Sequence, residues 1–250
     1  MTPLQFESDA HFELHCRCIN TALSRIGRGE HAVAIAHLDA ALAAGESPNA
    51  RWNRALPLLA VGRWREGWED YEARRWLFGD AVTTDRGAWL ARNLPRWRGE
   101  PPVGRRLVVL HEAGFGDMIM LLRFMPQLAL RGSFAVLMPP ELQRLALQVA
   151  PLVGDVGEQD VQCFAFDLMG LLGVTPATVP AAPYLPPDPL LVEKWCERLA
   201  GERRPKIGLA WSSARPVRPE RNVRLDEMLD LIDAGDCALF SLQVAVRPEP

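Results

Sequence analysis

The sequence predicts an α-helical N-terminal region followed by a parallel α/β region. Apolar residues recur at helical spacing through residues 11–79, and that pattern is lost over residues 80–105. From residue 106 onward, short apolar runs alternate with helical segments. Because parallel strands need crossover connections, this alternation is typical of a layered α/β fold. We place the domain boundaries at 11–79 for the helical repeats, 80–105 for a linker, 106–185 for a first α/β lobe and 186–250 for a connecting helix and a second lobe.

The composition is that of an ordinary globular protein. Apolar residues make up 48% of the 250 residues and charged residues 24%, with a formal net charge of -3. This balance argues against a dedicated nucleic-acid binder, since such a surface needs clustered positive charge. No stretch approaches the ~20 apolar residues of a membrane span, and the N-terminus lacks the apolar centre of a secretory signal. We therefore expect a cytoplasmic protein with no nucleic-acid partner and no membrane span.

The cysteines and histidines do not predict a disulfide framework or a metal site. The five cysteines are an odd number and are widely spread, unlike a disulfide scaffold. His11, His15, Cys16 and Cys18 form the one tempting metal cluster, but on a helix Cys16 and Cys18 point to different faces. Ordinary helix packing is the better interpretation, so no metal is predicted.

Residues 29–41 and 62–74 are two copies of one repeat, offset by 33 residues. Each copy follows a helix, turns at a glycine and begins a second helix. The small residue of that second helix, Ala34 in one copy and Gly67 in the other, would let the paired helix approach closely. The pattern resembles degenerate tetratricopeptide repeats, whose period is ~34 residues. Two copies are fewer than the ~3 that stacked repeats need for stability, so we expect them to pack on the region that follows.

Aromatic residues are frequent in these repeats. Tetratricopeptide helices offer a concave groove for peptide segments, in which Trp52, Trp64, Trp68 and Tyr71 could serve as anchors. The favoured interpretation is that they pack between the helices. Whether the helical repeats bind a protein or peptide partner therefore stays open.

The elements after the repeats follow from local composition. Glycine and proline interrupt residues 80–105, which we interpret as a linker with Trp89 and Trp97 packed against the second region. A proline-rich stretch over 176–189 is incompatible with a helix or a sheet interior and is expected to be extended. The predicted strands are 107–110, 134–138, 153–156, 163–168, 206–213 and 238–243, and the predicted helices are 116–130, 140–149, 190–199 and 225–232.

The stretch Gly114-Phe115-Gly116-Asp117 is the most informative segment. It joins a predicted strand to a predicted helix, a corner at which backbone N–H groups face an incoming ligand. The glycines are expected to supply positive φ angles and to let a substrate approach the main chain. The third glycine of the dinucleotide fingerprint is missing, so NAD is disfavoured. Asp117 either caps the helix or accepts a proton from an acceptor hydroxyl, and spacing does not decide between the two.

The residues around this corner resemble a family of bacterial proteins in which tetratricopeptide repeats precede a glycosyltransferase-like region. That region is related in fold to the heptosyltransferases and, more distantly, to the O-linked N-acetylglucosamine transferases. The matching segments stand in the family's order and span roughly residues 25–243. They are residues 66–74, 112–117, 123–124, 183–185, 207–211 and 241–243.

The resemblance implies a GT-B architecture, in which two Rossmann-like lobes face each other over a cleft. The first lobe would hold the acceptor, and the second would hold a nucleotide-sugar donor as co-substrate, with no further cofactor and no metal. By position in the motif, Asp117 would be the catalytic base. The resemblance assigns acceptor binding to Glu112, Gly114, Gly116 and Arg123, and donor binding to Ser212, Ser213 and Arg221, for which a solvated loop is the alternative.

The chain also departs from the family pattern. Ala113 stands where the family commonly has glutamine, and Met118 and Met120 replace polar residues, so the acceptor pocket has lost hydrogen-bonding groups. Residues 206–250 suffice for two strands and one helix, so we expect an incomplete second lobe. The predicted function is that of a glycosyltransferase-like protein, which transfers a sugar to an acceptor hydroxyl. Three alternatives stay open: the chain is active alone, it is inactive because its donor lobe is truncated, or another chain completes that lobe. The alternative is a non-catalytic tetratricopeptide module that binds proteins.

Overall fold

The computed structural model has two compact units, Met1–Pro186 and Pro187–Pro250. The first unit joins a helical region to a three-stranded parallel sheet, and the second contains a two-stranded parallel sheet. The predicted order of an N-terminal helical region and a mixed α/β region with parallel sheets is confirmed. The structure describes residues 6–78, 85–151, 159–212, 222–231 and 235–243.

The first four helices of the N-terminal region pack against one another in chain order, and the fifth packs on the third. Gly29 and Gly62, at equivalent positions of the repeat, have positive φ angles of 74° and 85°, a conformation that favours glycine. Ala34 is fully buried, and a Cβ on Gly67 would lie 2.7 Å from side-chain atoms of Leu59. The predicted close approach of the paired helices is therefore confirmed. The helices are α1 (Asp9–Gly27), α2 (His31–Ala44), α3 (Pro48–Ala60), α4 (Trp64–Tyr71) and α5 (Arg74–Phe78).

Part of the predicted linker over residues 80–105 is helical, which the glycines and prolines of this stretch did not indicate. Asp85–Asn93 forms helix α6, which begins with an acidic residue that favours a helix N-terminus. Its Leu90 is buried together with Val108 and Leu110, so the helix covers one face of the three-stranded sheet. Tertiary packing, which local composition does not report, stabilises this short helix.

The remainder of the predicted linker also joins the sheet. Arg96 forms an isolated parallel bridge with Gln162 at the sheet edge. Trp97 is fully buried, and its indole N–H donates to the carbonyl of Glu100 at 2.6 Å. Trp89, by contrast, is 48% exposed, so its predicted packing is wrong.

The three-stranded sheet has the order β2-β1-β3, with both pairings parallel. Every residue of the three strands is buried, as expected for a parallel sheet covered on both faces. Leu107 and Val109 of the central strand face the larger core, and Val108 and Leu110 face α6. The strands are β1 (Leu107–Leu110), β2 (Phe134–Leu137) and β3 (Val161–Phe164).

The crossover helices are shorter than predicted. The helix predicted over 116–130 breaks at a 3₁₀ turn, Leu122–Phe124, because Pro126 lacks the N–H that a continuous helix requires. The strand predicted over 163–168 is shifted, since β3 ends at Phe164 and a helix begins at Asp167. The strand predicted over 153–156 lies outside the described residues. The helices here are α7 (Phe115–Leu121), α8 (Met125–Ala129), α9 (Pro140–Ala146) and α10 (Asp167–Leu171).

The proline-rich segment contains no helix or strand between residues 174 and 188, as predicted. Its Val179, Tyr184 and Leu185 pack on the core of the first unit. In the second unit, a helix starts at Pro189, where the carboxylate of Asp188 accepts from two backbone N–H groups. The second unit contains α11 (Pro189–Leu199), β4 (Lys206–Leu209), α12 (Leu225–Leu231) and β5 (Ala238–Ser241), with β4 and β5 parallel. None of the described helices is long and apolar enough to cross a membrane.

Candidate functional site

The corner between β1 and α7 has Asp117 on the first turn of the helix. Its Oδ2 accepts from the backbone N–H of Gly114 at 3.1 Å, so the carboxylate closes the helix N-terminus. Its Oδ1 has no hydrogen-bond partner in the described part of the chain, and the side chain is partly exposed. Asp117 therefore acts as a cap with one oxygen and leaves the other oxygen open.

The backbone of the corner differs from the prediction. Gly114 has φ -89°, and Gly116 lies within the helix, so the expectation that these glycines supply positive φ angles is wrong. The positive φ, 64°, belongs to Ala113, the one non-glycine residue with this conformation in the described ranges. Such a residue costs about 1–2 kcal/mol, and strained backbone of this kind often occurs at functional sites.

Glu112 is buried and already bonded within the protein. Its Oε1 accepts from Nη2 of Arg74 at 2.8 Å and from the backbone N–H of Phe166 at 2.7 Å. Its Oε2 accepts from Nε of Arg74 at 3.2 Å, which completes a bidentate pair. An acceptor would compete with Arg74 for this carboxylate, so the predicted acceptor-binding role of Glu112 stays a prediction.

Asp167 is the centre of a buried ionic network that sequence reasoning missed. Its side chain is fully buried, and its Oδ1 accepts from Nη2 of Arg74 at 2.7 Å. Its Oδ2 accepts from the backbone N–H of Phe164 at 2.9 Å and from Arg75. A third guanidinium, that of Arg96, lies 3.7 Å from Oδ1. A lone aspartate at the end of an apolar run was the available sequence signal, since a buried carboxylate needs cationic partners.

The charges of this network balance. Arg96 also pairs with Glu72, so three guanidinium groups face three carboxylates. Burial would raise the pKa of Asp167, but the attraction of Arg75, Arg74 and Arg96 outweighs it and holds that pKa below its usual value. Asp167 therefore stays ionised although its side chain is buried.

The network lies beyond the carboxyl ends of β1 and β3. Glu112 follows β1 by two residues, and Asp167 follows β3 by three. Ligands of open α/β sheets bind at this edge. In this protein, Arg74 and Arg75 of the helical region occupy part of that space.

An aromatic pocket of about 180 Å³ remains open beside the network. Its aromatic rings contact one another in a row. The ring centroids are 5.0 Å apart for Trp52 and Tyr71 and 5.8 Å apart for Tyr71 and Phe166. The guanidinium of Arg75 lies 4.0 Å from the ring centre of Phe164. We call this cavity the aromatic pocket. Its lining residues are Trp52, Tyr71, Arg74, Arg75, Phe78, Glu112, Ala113, Phe164 and Phe166.

Asp117 is electrostatically linked to this pocket through Tyr71. Burial raises the pKa of the Tyr71 hydroxyl; the positive charge of Arg74 opposes this shift, and the negative charges of Glu112 and Asp117 add to it. Asp117 does not itself line the aromatic pocket, but the corner that it caps contributes Ala113 to the lining.

Arg123 and Gly116, two of the predicted acceptor-binding residues, differ in how accessible they are. The guanidinium of Arg123 lies 5.0 Å from the ring centre of Tyr184, and its Nε donates to the carbonyl of Met120, so it is engaged within the protein. A Cβ on Gly116 would meet no atom within 4 Å. The position of Gly116 is thus open enough for a ligand to approach the main chain.

The predicted donor-binding residues lie in the second unit or outside the described residues. The backbone of Ser212 is held by the side-chain amide of Gln243, which accepts from its N–H at 3.1 Å and donates to its carbonyl at 3.0 Å. These bonds tie the segment after β4 to the segment after β5. Ser213 and Arg221 fall outside the described residues.

The His–Cys cluster of α1 has packing contacts. His15 is buried and donates through Nδ1 to the carbonyl of Ala41 at 2.7 Å, and Cys18 belongs to the helical core. Across the described ranges, no group of three or more His, Cys, Asp or Glu residues is arranged to hold a metal ion.

Fold and site together define a helical and α/β protein with a carboxylate-bearing corner and an aromatic pocket at one sheet edge. The chain is similar to protein FlbA of Caulobacter vibrioides (strain ATCC 19089 / CIP 103742 / CB 15), with 29% identity over 229 aligned residues. The alignment covers 78% of this chain and 37% of FlbA, so the chain spans little more than a third of that relative's length. No family model matches the chain, and no solved structure matches it.

Proposed function

We propose that the chain is a glycosyltransferase-like protein of the two-lobed kind, with Asp117 as the base that accepts the proton of an acceptor hydroxyl. In this proposal the helices are tetratricopeptide-like, the three-stranded sheet belongs to a Rossmann-like acceptor lobe, and the second unit carries Rossmann-like donor elements. The observation that supports it most is the open Oδ1 of Asp117 at a corner whose Ala113 lines the aromatic pocket, at the sheet edge where α/β proteins bind ligands.

The proposed reaction needs no further cofactor. As the acceptor oxygen attacks the anomeric carbon of a nucleotide sugar, its proton moves to Asp117 and the nucleotide leaves through its phosphate oxygen with the bonding electron pair. The hydroxyls of Ser212 and Ser213 and the guanidinium of Arg221 would stabilise the charge of the leaving phosphates. Arg123 and the main chain at Gly114 and Gly116 would position the acceptor.

The aromatic pocket suggests what part of the acceptor it would bind. A volume of about 180 Å³ is smaller than a typical small-molecule site of about 300–1,000 Å³, so it suits one ring or one short apolar group. Its walls are mostly aromatic, and aromatic rings bind flat or apolar surfaces well. We expect the acceptor to place an apolar portion there and its hydroxyl at Asp117.

A second candidate is a non-catalytic binding module. Glu112, Asp167 and their arginines are bonded to one another inside the protein, so they offer little free polar chemistry to a substrate. The aromatic pocket lies at the junction with the helical region and could bind a side chain of a partner protein.

Nucleotide binding that depends on the second unit separates the two candidates. In calorimetry, a transferase binds at least one of UDP, GDP, ADP or CMP through its donor elements. The Ser212→Ala variant removes the hydroxyl but keeps the backbone bonds to Gln243, and it should weaken that binding. Asp226→Asn, an exposed change on α12, is the matched control in the same unit and should leave the binding unchanged. If no nucleotide bound, or if the Ser212→Ala variant bound nucleotide as tightly as the wild type, the transferase proposal would be removed and the binding module would remain.

A further inference from the structure

A second and larger cavity lies in the first unit, away from the aromatic pocket. It has a volume of about 760 Å³, within the range of small-molecule sites. Trp64 and Trp68 of α4 line it together with residues 170–175. The charged residues of the lining are Arg65, Glu69, Glu72, Arg96, Arg98 and Arg131. We call this cavity the arginine groove. It shares no lining residue with the aromatic pocket.

The arginine groove carries positive charge that the protein does not neutralise. The guanidinium groups of Arg65 and Arg98 have no ion pair and no hydrogen bond within the described ranges. That of Arg131 donates to the carbonyl of Gly99 at 3.1 Å, which is a neutral acceptor. Two glutamates oppose the four arginines of the lining, so the excess is positive in a chain whose formal net charge is -3. Converging positive charges of this kind attract multiply charged anions.

A buried donor on the groove lining has no acceptor. Arg96 pairs with Glu72 through Nη2, yet its buried Nε–H has no hydrogen-bond partner among the described residues. Unpaired buried N–H groups are uncommon and call for an explanation. An anion in the groove would supply an acceptor close to this arginine.

One wall of the groove presents an indole ring. Trp68 is fixed by two contacts. Its Nε1–H donates to the carbonyl of Val174 at 3.0 Å. Its Cβ also packs closely on Gly170, where an added Cβ would lie only 3.2 Å away. Trp64, one helical turn earlier, is half-buried and its Nε1 has no partner in the part of the chain that the structure describes. A half-buried indole beside guanidinium groups is suited to stacking on a flat ring.

We propose that the arginine groove binds a small organic anion that carries a flat ring and at least two negative charges, such as a nucleoside diphosphate. Arg98 and Arg131 bind its charged oxygens in the bidentate manner of guanidinium groups, and Trp64 stacks on its ring. The site is independent of the proposed transferase chemistry, since neither Asp117 nor Ser212 lines it.

Calorimetry with ADP, pyrophosphate and adenosine tests this proposal on the full chain at low ionic strength. ADP should bind at least about tenfold more tightly than either of its two parts, because both charge and ring contribute. The double variant Arg98→Ala/Arg131→Ala should weaken ADP binding by about tenfold or more. Trp64→Leu should reduce the affinity for ADP to that for pyrophosphate, which has no ring.

Two controls locate the binding. Arg17→Ala removes an exposed arginine of α1 that lies outside the groove and should leave ADP affinity unchanged. Asp226→Asn, an exposed change in the second unit, should also bind ADP as the wild type does. Undiminished ADP binding by the double arginine variant, or ADP binding no tighter than that of pyrophosphate, would overturn the proposal. Thermal unfolding of each variant shows whether it is folded. We expect the double arginine variant to fold, because Arg98 and Arg131 are exposed.

Discussion

Arg74 and Asp167, 93 residues apart in the sequence, are joined by a hydrogen bond of 2.7 Å between Nη2 and Oδ1. Both side chains are buried. Arg74 belongs to the helical region and Asp167 follows β3, so the bond ties the helices to the edge of the three-stranded sheet. The indole of Trp68, which donates to Val174, adds a second tie. The expectation that two repeats pack on the region after them is confirmed.

Asp167→Asn should destabilise the protein strongly. The substitution removes the negative charge that Arg74, Arg75 and Arg96 surround, and breaking a buried ion pair in this way costs about 3–5 kcal/mol. Urea denaturation measures the change in the free energy of unfolding. Asp160→Asn, which breaks an exposed pair with Arg106, is the matched control and should cost far less. Equal losses in the two variants would contradict a stabilising role for the network.

Acid should weaken the same network. The pKa of Asp167 in the folded protein lies below its usual value of 3.8, so the folded state binds this proton less tightly than the unfolded state. Its contribution to stability is therefore complete above about pH 4 and is lost as the pH falls below that value. The free energy of unfolding between about pH 5 and about pH 3 should fall more steeply for the wild type than for Asp167→Asn. If the free energy of unfolding fell equally steeply with pH in the two proteins, Asp167 would not titrate in this way.

Gly67→Ala should destabilise the helical region. The new Cβ would lie 2.7 Å from Leu59 side-chain atoms and 3.1 Å from the Leu59 backbone nitrogen. Overpacking of this kind costs about 1–3 kcal/mol, which exceeds the gain in helix propensity of about 1 kcal/mol. Gly116→Ala is the matched control, since its Cβ meets no atom within 4 Å and the helix should gain slightly. Thermal unfolding of both variants decides whether close packing or propensity governs Gly67.

Ala113→Gly should stabilise the corner by about 0.5–1 kcal/mol. Relief of the positive φ of 64° contributes about 1–2 kcal/mol, and the greater freedom of glycine in the unfolded chain offsets part of it. Ala40→Gly lies at an exposed position inside α2. It should lower the free energy of unfolding, by about 1 kcal/mol. Destabilisation by both substitutions would mean that Ala113 carries no strain.

The sequence predicts most of the strands and helices because their signals are local. The buried run Leu107–Leu110 and the glycine turns at Gly29 and Gly62 are readable from residue type and spacing. Helix α6 is not, because its stability comes from Leu90 packing on the sheet. The break at Pro126 has a local signal, the missing N–H, which the apolar spacing around it hid.

The candidate site is harder to predict, because its chemistry depends on residues far apart in the sequence. The motif identifies the corner and Asp117, but the bonds of Glu112 to Arg74 and of Asp167 to Arg75 span 38 and 92 residues. Such pairs have no local spacing signal. The aromatic residues Trp52 and Tyr71 were expected to pack between helices, and their rings do touch, yet they also line an open pocket.

Asp117→Asn tests the central claim most directly. Asparagine keeps an oxygen that can accept from the N–H of Gly114, so the helix cap and the fold should persist, while the base is lost. The measurement is the release of nucleotide from a panel of UDP-, GDP-, ADP- and CMP-sugars, compared between the wild type and this variant, with thermal unfolding as the check on folding. We expect the wild type to release nucleotide from one of these donors and Asp117→Asn to be at least about 100-fold slower. Equal rates in the two proteins, or no release by the wild type from any donor, would contradict the role of Asp117 as the base of a sugar transferase.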